Sequence, residues 1–203
     1  MAAFLEGIAA QLHVTPGPPA VKPHPTSRPG PIPPGGLAIH LVSRAIAGGS
    51  WHEFPSENWI VLTREESAQL LPKDPPALRD SWTVPHPVAR KLAEWVYPQN
   101  EERTAQNRSR VDGAHFEFTV VAVQGSLARA KLEGKIRLLH AFYPGTTAQD
   151  FAISELTGYM DFDSAESHIQ RLRLVTEKAD YNGTPFEAVL ISMSKESLEG
   201  LLQ

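Results

Sequence analysis

Cysteine is absent from this chain, which excludes disulfides, thiolate metal sites and thiol nucleophiles. No apolar run approaches 18 residues, so no transmembrane segment is expected. The basic surplus that nucleic acid demands is missing too. Lysine and arginine number 19 against 23 acidic residues, for a net charge of −4, so no nucleic-acid partner is expected. Catalytic signatures are equally scarce: there is no G-x-S-x-G, phosphate loop, G-x-G-x-x-G or zincin pattern. His40, His52, His86, His115, His140 and His168 fall in different segments, and no H-x-H or H-x3-H pair occurs. No metal and no cofactor is therefore expected. Met1–Leu12 lacks a basic start, and Glu6 interrupts its apolar run, so it does not read as a standard signal peptide.

What remains is a folding chain. Its 203 residues are 41% hydrophobic and 21% charged, enough to bury a sizeable core. Residues 1–13 carry Phe4, Ile8 and Leu12 at a spacing of four, which suits a short amphipathic segment. Residues 14–36 hold half of the 18 prolines. Proline fixes φ and lacks a donor, so this stretch reads as a linker or arm without helix or ladder. Residues 37–203 read as one α+β domain, with an N-terminal part at 37–81, a helix at 86–97 and a sheet at 114–193.

In the N-terminal part, strands are expected at 36–46 and 59–63. A loop between them carries Trp51, His52 and Phe54. Thr63-Arg64-Glu65-Glu66 matches a capping box, so a helix of about two turns should follow. The 86–97 helix has Pro87 in its first turn. Val88, Leu92, Trp95 and Val96 share one face, and Pro98 stops it. The polar stretch 100–113 reads as a loop.

The sheet is written in five alternating runs: Ala114–Val123, Leu127–Phe142, Phe151–Asp163, His168–Ala179 and Pro185–Met193. Asn182-Gly183 is the strongest hairpin signal between them. Ala128, Ala130, Leu132, Gly134, Ile136, Leu138 and His140 share an apolar side. Leu156, Gly158, Met160, Phe162, Leu172 and Leu174 continue it. Gly134 and Gly158 lie inside strands, which marks bends or close packing. The expected fold is a curved antiparallel β-meander, a half-barrel or barrel-like roll of up to seven strands packed on one amphipathic helix.

His140 is the ionisable residue that alternation places on the apolar face, just before Phe142, Tyr143 and the loop Pro144–Asp150. With Ser154 and Thr176 it makes a candidate ligand site, although no acidic partner completes a triad. Arg129, Lys131, Lys135, Arg137, Arg171 and Arg173 form a ladder on the other face, interleaved with Glu133, Glu155 and Glu177. That pattern fits a solvated face of cross-strand pairs. Asp161 and Asp163 fit turn capping better than a calcium loop.

Leu138 through Tyr143, Leu156 through Asp163, Ile169 through Thr176 and Ala179 through Tyr181, with the Trp82–Pro98 segment before them, resemble a β-rich domain family of uncharacterised secreted bacterial proteins. The likeness spans about the C-terminal 120 residues and consists of strand and turn patterns. It implies a fold and a periplasmic or secreted location, the alternative being cytoplasmic, and it carries no activity. The function expected is a non-catalytic binding or assembly module of a bacterial protein complex. It would engage a protein partner or a second copy through the N-terminal arm. The alternative is a small-molecule or metal-binding protein, with or without catalysis, whose site lies near His140.

Overall fold

The computed structural model describes residues 29–46, 55–98, 110–139 and 151–193. They form strands β1 (Leu37–Ala45), β2 (Ser56–Leu62) and β3 (Ser81–Thr83), then β4 (Arg110–Gln124), β5 (Leu127–Leu139), β6 (Phe151–Asp163), β7 (His168–Tyr181) and β8 (Thr184–Ser192). Two short helices, α1 (Arg64–Ala68) and α2 (His86–Ala93), lie between β2 and β4. All eight strands join one antiparallel sheet in the order β2-β1-β8-β7-β6-β5-β4-β3. The sheet is open, with β2 and β3 as its edges.

The five long strands expected between 114 and 193 are present as β4 to β8. Asn182 and Gly183 both have positive φ, 50° and 81°, as a tight turn with two left-handed central residues requires. The Asp180 carboxylate accepts the Gly183 N–H at 2.9 Å.

Several boundaries differ from the sequence expectation. Residues 110–113 are strand, not loop, because β5 supplies the ladder: Arg110 and Val111 pair with Leu139 and Leu138. A bulge between Val111 and Gly113 absorbs the polar spacing. β2 starts at Ser56, so Glu57 and Asn58 also belong to strand. β3 was unexpected, since three residues show no period. It is anchored by Trp82, whose Nε1 donates to the Leu70 carbonyl at 3.0 Å and whose ring stacks on Phe118 at 5.4 Å. α2 stops at Ala93, four residues short of the expected end. There the Val96 N–H bonds the Ala93 carbonyl at 3.1 Å, an i→i−3 turn that tightens the exit. Trp95 consequently sits half-buried rather than in the core.

The expected alternation is otherwise kept. On β5 every second residue from Ala128 to Leu138 is buried, and Leu156, Gly158, Met160 and Phe162 follow on β6. They join one cluster with Ile39 and Leu41 of β1, Leu190 of β8, and Val88 and Leu92 of α2. Beyond α2, the ring of Tyr97 meets Tyr181 at 4.9 Å and Phe186 at 5.3 Å. Trp82 on edge strand β3 reaches Phe162 on β6, with ring centroids 6.2 Å apart. Of arm residues 14–36, only 29–36 are described, and they hold neither helix nor strand. The Gly36 N–H returns to the Pro33 carbonyl at 2.9 Å, with Gly35 at φ +69°, and that turn leads into β1.

The capping box forms as the sequence predicts. Thr63 Oγ1 accepts the Glu66 N–H at 3.2 Å, and Glu66 Oε2 accepts the Thr63 N–H at 2.8 Å. The same carboxylate takes Lys91 Nζ of α2 at 2.7 and 2.9 Å, so one side chain ties the two helices. The bond from Lys91, then that from the Thr63 backbone, lowers the Glu66 pKa. A lowered folded pKa gives stability that is present above the unfolded value and lost as pH falls through the folded one. Glu66→Gln should therefore cost ~1–2 kcal/mol at neutral pH. The difference should persist through the ordinary glutamate range and close only well below it, toward ~pH 2. Urea denaturation at both pH values tests this, and an equal difference at both would refute it.

Candidate protein interface

The outward side of the sheet has two unlike halves. Over β5 it is charged and internally paired. Arg129 meets Asp161 through two bonds, at 2.6 and 3.1 Å. Lys131 meets Glu133 at 2.8 Å, and Arg137 lies 3.4 Å from Asp112. The Lys131 bond lowers the Glu133 carboxyl pKa, and the reverse contact raises that of Lys131. This is the solvated ladder expected from the alternating charges. Asp163 caps its turn, accepting the Ala165 N–H at 2.9 Å and the Glu166 N–H at 3.3 Å.

The half over β6, β7, β8 and β1 is apolar. Strand register aligns Thr157, Val175, Val189 and Val42 in one row, ending at Glu57 of β2. The next row aligns Tyr159, Arg173, Ile191 and His40, ending at Trp59. Tyr159 is 50% exposed, Val175 42%, Ile191 39% and Val189 38%. Among the described residues Arg173 makes no ion pair. His40 stacks on Trp59 at 4.5 Å, with its Nε2 3.4 Å from Glu57. Below these rows lie two ion pairs, Arg44–Glu187 at 3.3 Å and Lys178–Glu155 at 3.2 Å. An open cleft of about 390 Å³ borders the Lys178–Glu155 pair and is lined by His115, Lys135 and four glutamates, Glu155 among them.

These rows were missed in the sequence, yet a signal was there. Leu174-Val175 and Val189-Leu190-Ile191 are consecutive apolar residues within strands. A strand buried on one face only should alternate, so adjacent apolar residues mean that both faces are apolar.

The expected ligand residues fare unevenly. His140, Phe142, Tyr143 and the Pro144–Asp150 loop lie outside the described residues. So do residues 1–13 and the aromatic loop at 51–54. Ser154 faces inward as alternation requires and is 2% exposed, with no hydrogen-bond partner for its Oγ among the described residues. Thr176 is committed to the backbone: its Oγ1 accepts the Ala188 N–H at 2.9 Å. That bond falls where the β7–β8 ladder shifts register between Val175 and Asp180. The pair therefore shares the inner end of the sheet without presenting two free hydroxyls. His40, His86, His115 and His168 are spread over four elements. Among the described residues no group of three metal-capable side chains occurs.

No family model, curated protein or solved structure matches the chain.

Proposed function

We propose that this chain is a non-catalytic binding module. Its sheet curls as a half-barrel over α2 and docks a protein partner on its outer apolar half. The observation that carries this is the pair of rows from Tyr159 to His40 and from Thr157 to Val42. Adjacent exposed aliphatic side chains on one side of a sheet, rimmed by ion pairs, are how a protein-binding surface is built. The Trp82–Phe162 contact supports the curl. β3 and β6 are three strand spacings apart, ~14 Å in a flat sheet.

The test is site-specific photo-crosslinking in the protein's own cells. A benzoylphenylalanine at position 189 should give a discrete crosslinked product. The same probe at position 133, on the charged half, should give none. Equal yields from both positions, or none from either, would count against a defined docking face.

A second reading, a small-molecule site inside the sheet near His140, has one observation in its favour. Ser43 Oγ, Asn58 Nδ2 and Ser154 Oγ are buried without hydrogen-bond partners among the described residues. Ser43 pairs with Ser56 on one side and Ala188 on the other, at the same end of the sheet as Ser154. Each unmet group costs ~1–3 kcal/mol, which a ligand with hydrogen-bonding groups would recover.

A further inference from the structure

We infer that the inner end of the sheet holds an uncharged small molecule with oxygen acceptors, laid along a band of small side chains that runs from β2 to β6. This rests on the small-molecule reading and names its ligand class and the residues that hold it. Strand register defines the band. Ser56 pairs with Ser43, and Ser43 with Ala188. Thr176 Oγ1 accepts the Ala188 N–H. Past the irregularity in β7, Ala179 pairs with Ser154. These six positions contribute nothing larger than threonine, whereas Phe116, Phe118, Met160 and Phe162 fill the other end of the inner face.

Small size alone would not mark a site. Polarity does. Among the described residues the buried polar side chains are Ser43, Ser56, Asn58 and Ser154. Three lie in the band, and Asn58 is the next inward residue of β2 after Ser56. Ser43 Oγ, Ser154 Oγ and Asn58 Nδ2 have no hydrogen-bond partners among the described residues. Buried polar groups are satisfied with few exceptions, so three exceptions gathered at one end point to a bound molecule.

The same side chains select its chemistry. None of the four is charged, so an ionised ligand would be buried there without a counter-charge. An amide nitrogen only donates, so Asn58 Nδ2 calls for a carbonyl, ether or hydroxyl oxygen. The serine hydroxyls accept or donate. Beside the band, the ring of Tyr97 packs on Tyr181 and Phe186. Phe186 is the inward residue of β8 before Ala188, and Tyr181 is the inward residue of β7 after Ala179. These rings supply an apolar wall for the rest of the molecule. Ser43 and Ser154 stand three strand spacings apart, ~14 Å in a flat sheet and less in a curled one.

The test uses prodan, a neutral naphthalene dye whose emission moves to longer wavelength when its carbonyl accepts a hydrogen bond. Titrated into the full chain, it should bind saturably at one site. Replacing Ser43 and Ser154 together by alanine should weaken binding at least ~5-fold, as for loss of one neutral hydrogen bond. The melting temperature of the free double variant should not fall, because the free protein has no bond there to lose. Asn58→Leu should move the emission of the bound dye to shorter wavelength. The anionic dye anilinonaphthalenesulfonate should compete at least ~10-fold more weakly than prodan binds. Equal competition by the anionic dye overturns the uncharged class. A double variant that binds prodan as wild type does, or that melts lower, overturns the band. If His140→Gln abolishes binding that the serine variants keep, the small-molecule reading stands without the band. No saturable binding of either dye removes both.

Discussion

Gly158→Ala should destabilise the protein by ~3 kcal/mol or more, the upper range for a forced overlap. Gly158 lies on the inner side of β6 directly across from Leu174 of β7. A Cβ there would overlap the Arg173 carbonyl oxygen and come within 2.8 Å of Leu174 Cα. Both are backbone atoms held by the ladder, so relief requires the two strands to separate. Gly134 gives a graded comparison. A Cβ at that site would overlap the Phe116 ring, a side chain that can shift at the cost of its packing. Gly134→Ala should therefore cost less, ~1–3 kcal/mol. Urea midpoints measured by circular dichroism give both values. A Gly158→Ala protein with wild-type stability would mean that β6 and β7 do not approach as described.

Phe162→Ala should cost ~3–5 kcal/mol, as for other large buried aromatics. Phe162 is fully buried and meets Trp82 edge-on at 6.2 Å. Its loss would leave a cavity and loosen the hold on β3, which has only three residues in the ladder. The near-ultraviolet signal of Trp82 should weaken together with the stability. A loss under ~1 kcal/mol would show that the site collapses freely around the missing ring.

The sheet was largely legible because its signals are local. Alternation from Ala128 to Leu138 fixes a face without reference to any other strand, and Asn182-Gly183 fixes a turn by its own backbone preference. The capping box at Thr63 is likewise complete within four residues. The misses needed information from elsewhere in the chain. Strand at 110–113 exists because Leu138 and Leu139 are there to pair with it. β3 exists because Trp82 finds Phe118 and the Leu70 carbonyl. α2 ends early because the turn at Val96 wins over a continuing helix pattern. For the site, inward placement of Ser154 was readable, while the engagement of Thr176 by Ala188 depended on a bulge between two strands. The apolar outer rows were spelled in Leu174-Val175 and Val189-Leu190-Ile191. Their meaning appears only when register lays β6, β7, β8 and β1 side by side.

The pairing of β1 with β8 bears on how the molecule is made. Ile39 lies opposite Ser192 and Ala45 opposite Phe186, so partners are separated by about 140–150 residues of chain. Every other contact in the sheet is a hairpin or a shorter return. Closing so long a loop carries an entropy penalty that local hairpins do not, and such pairings tend to form late. During synthesis the β1–β2 hairpin leaves the ribosome well before β8 exists. Until then Leu41 and Ile39 have no sheet to cover them, and a two-stranded hairpin is marginal by itself in water. The interval before β8 emerges is therefore when this chain is most exposed to aggregation, and the time at which a chaperone would have the most to protect.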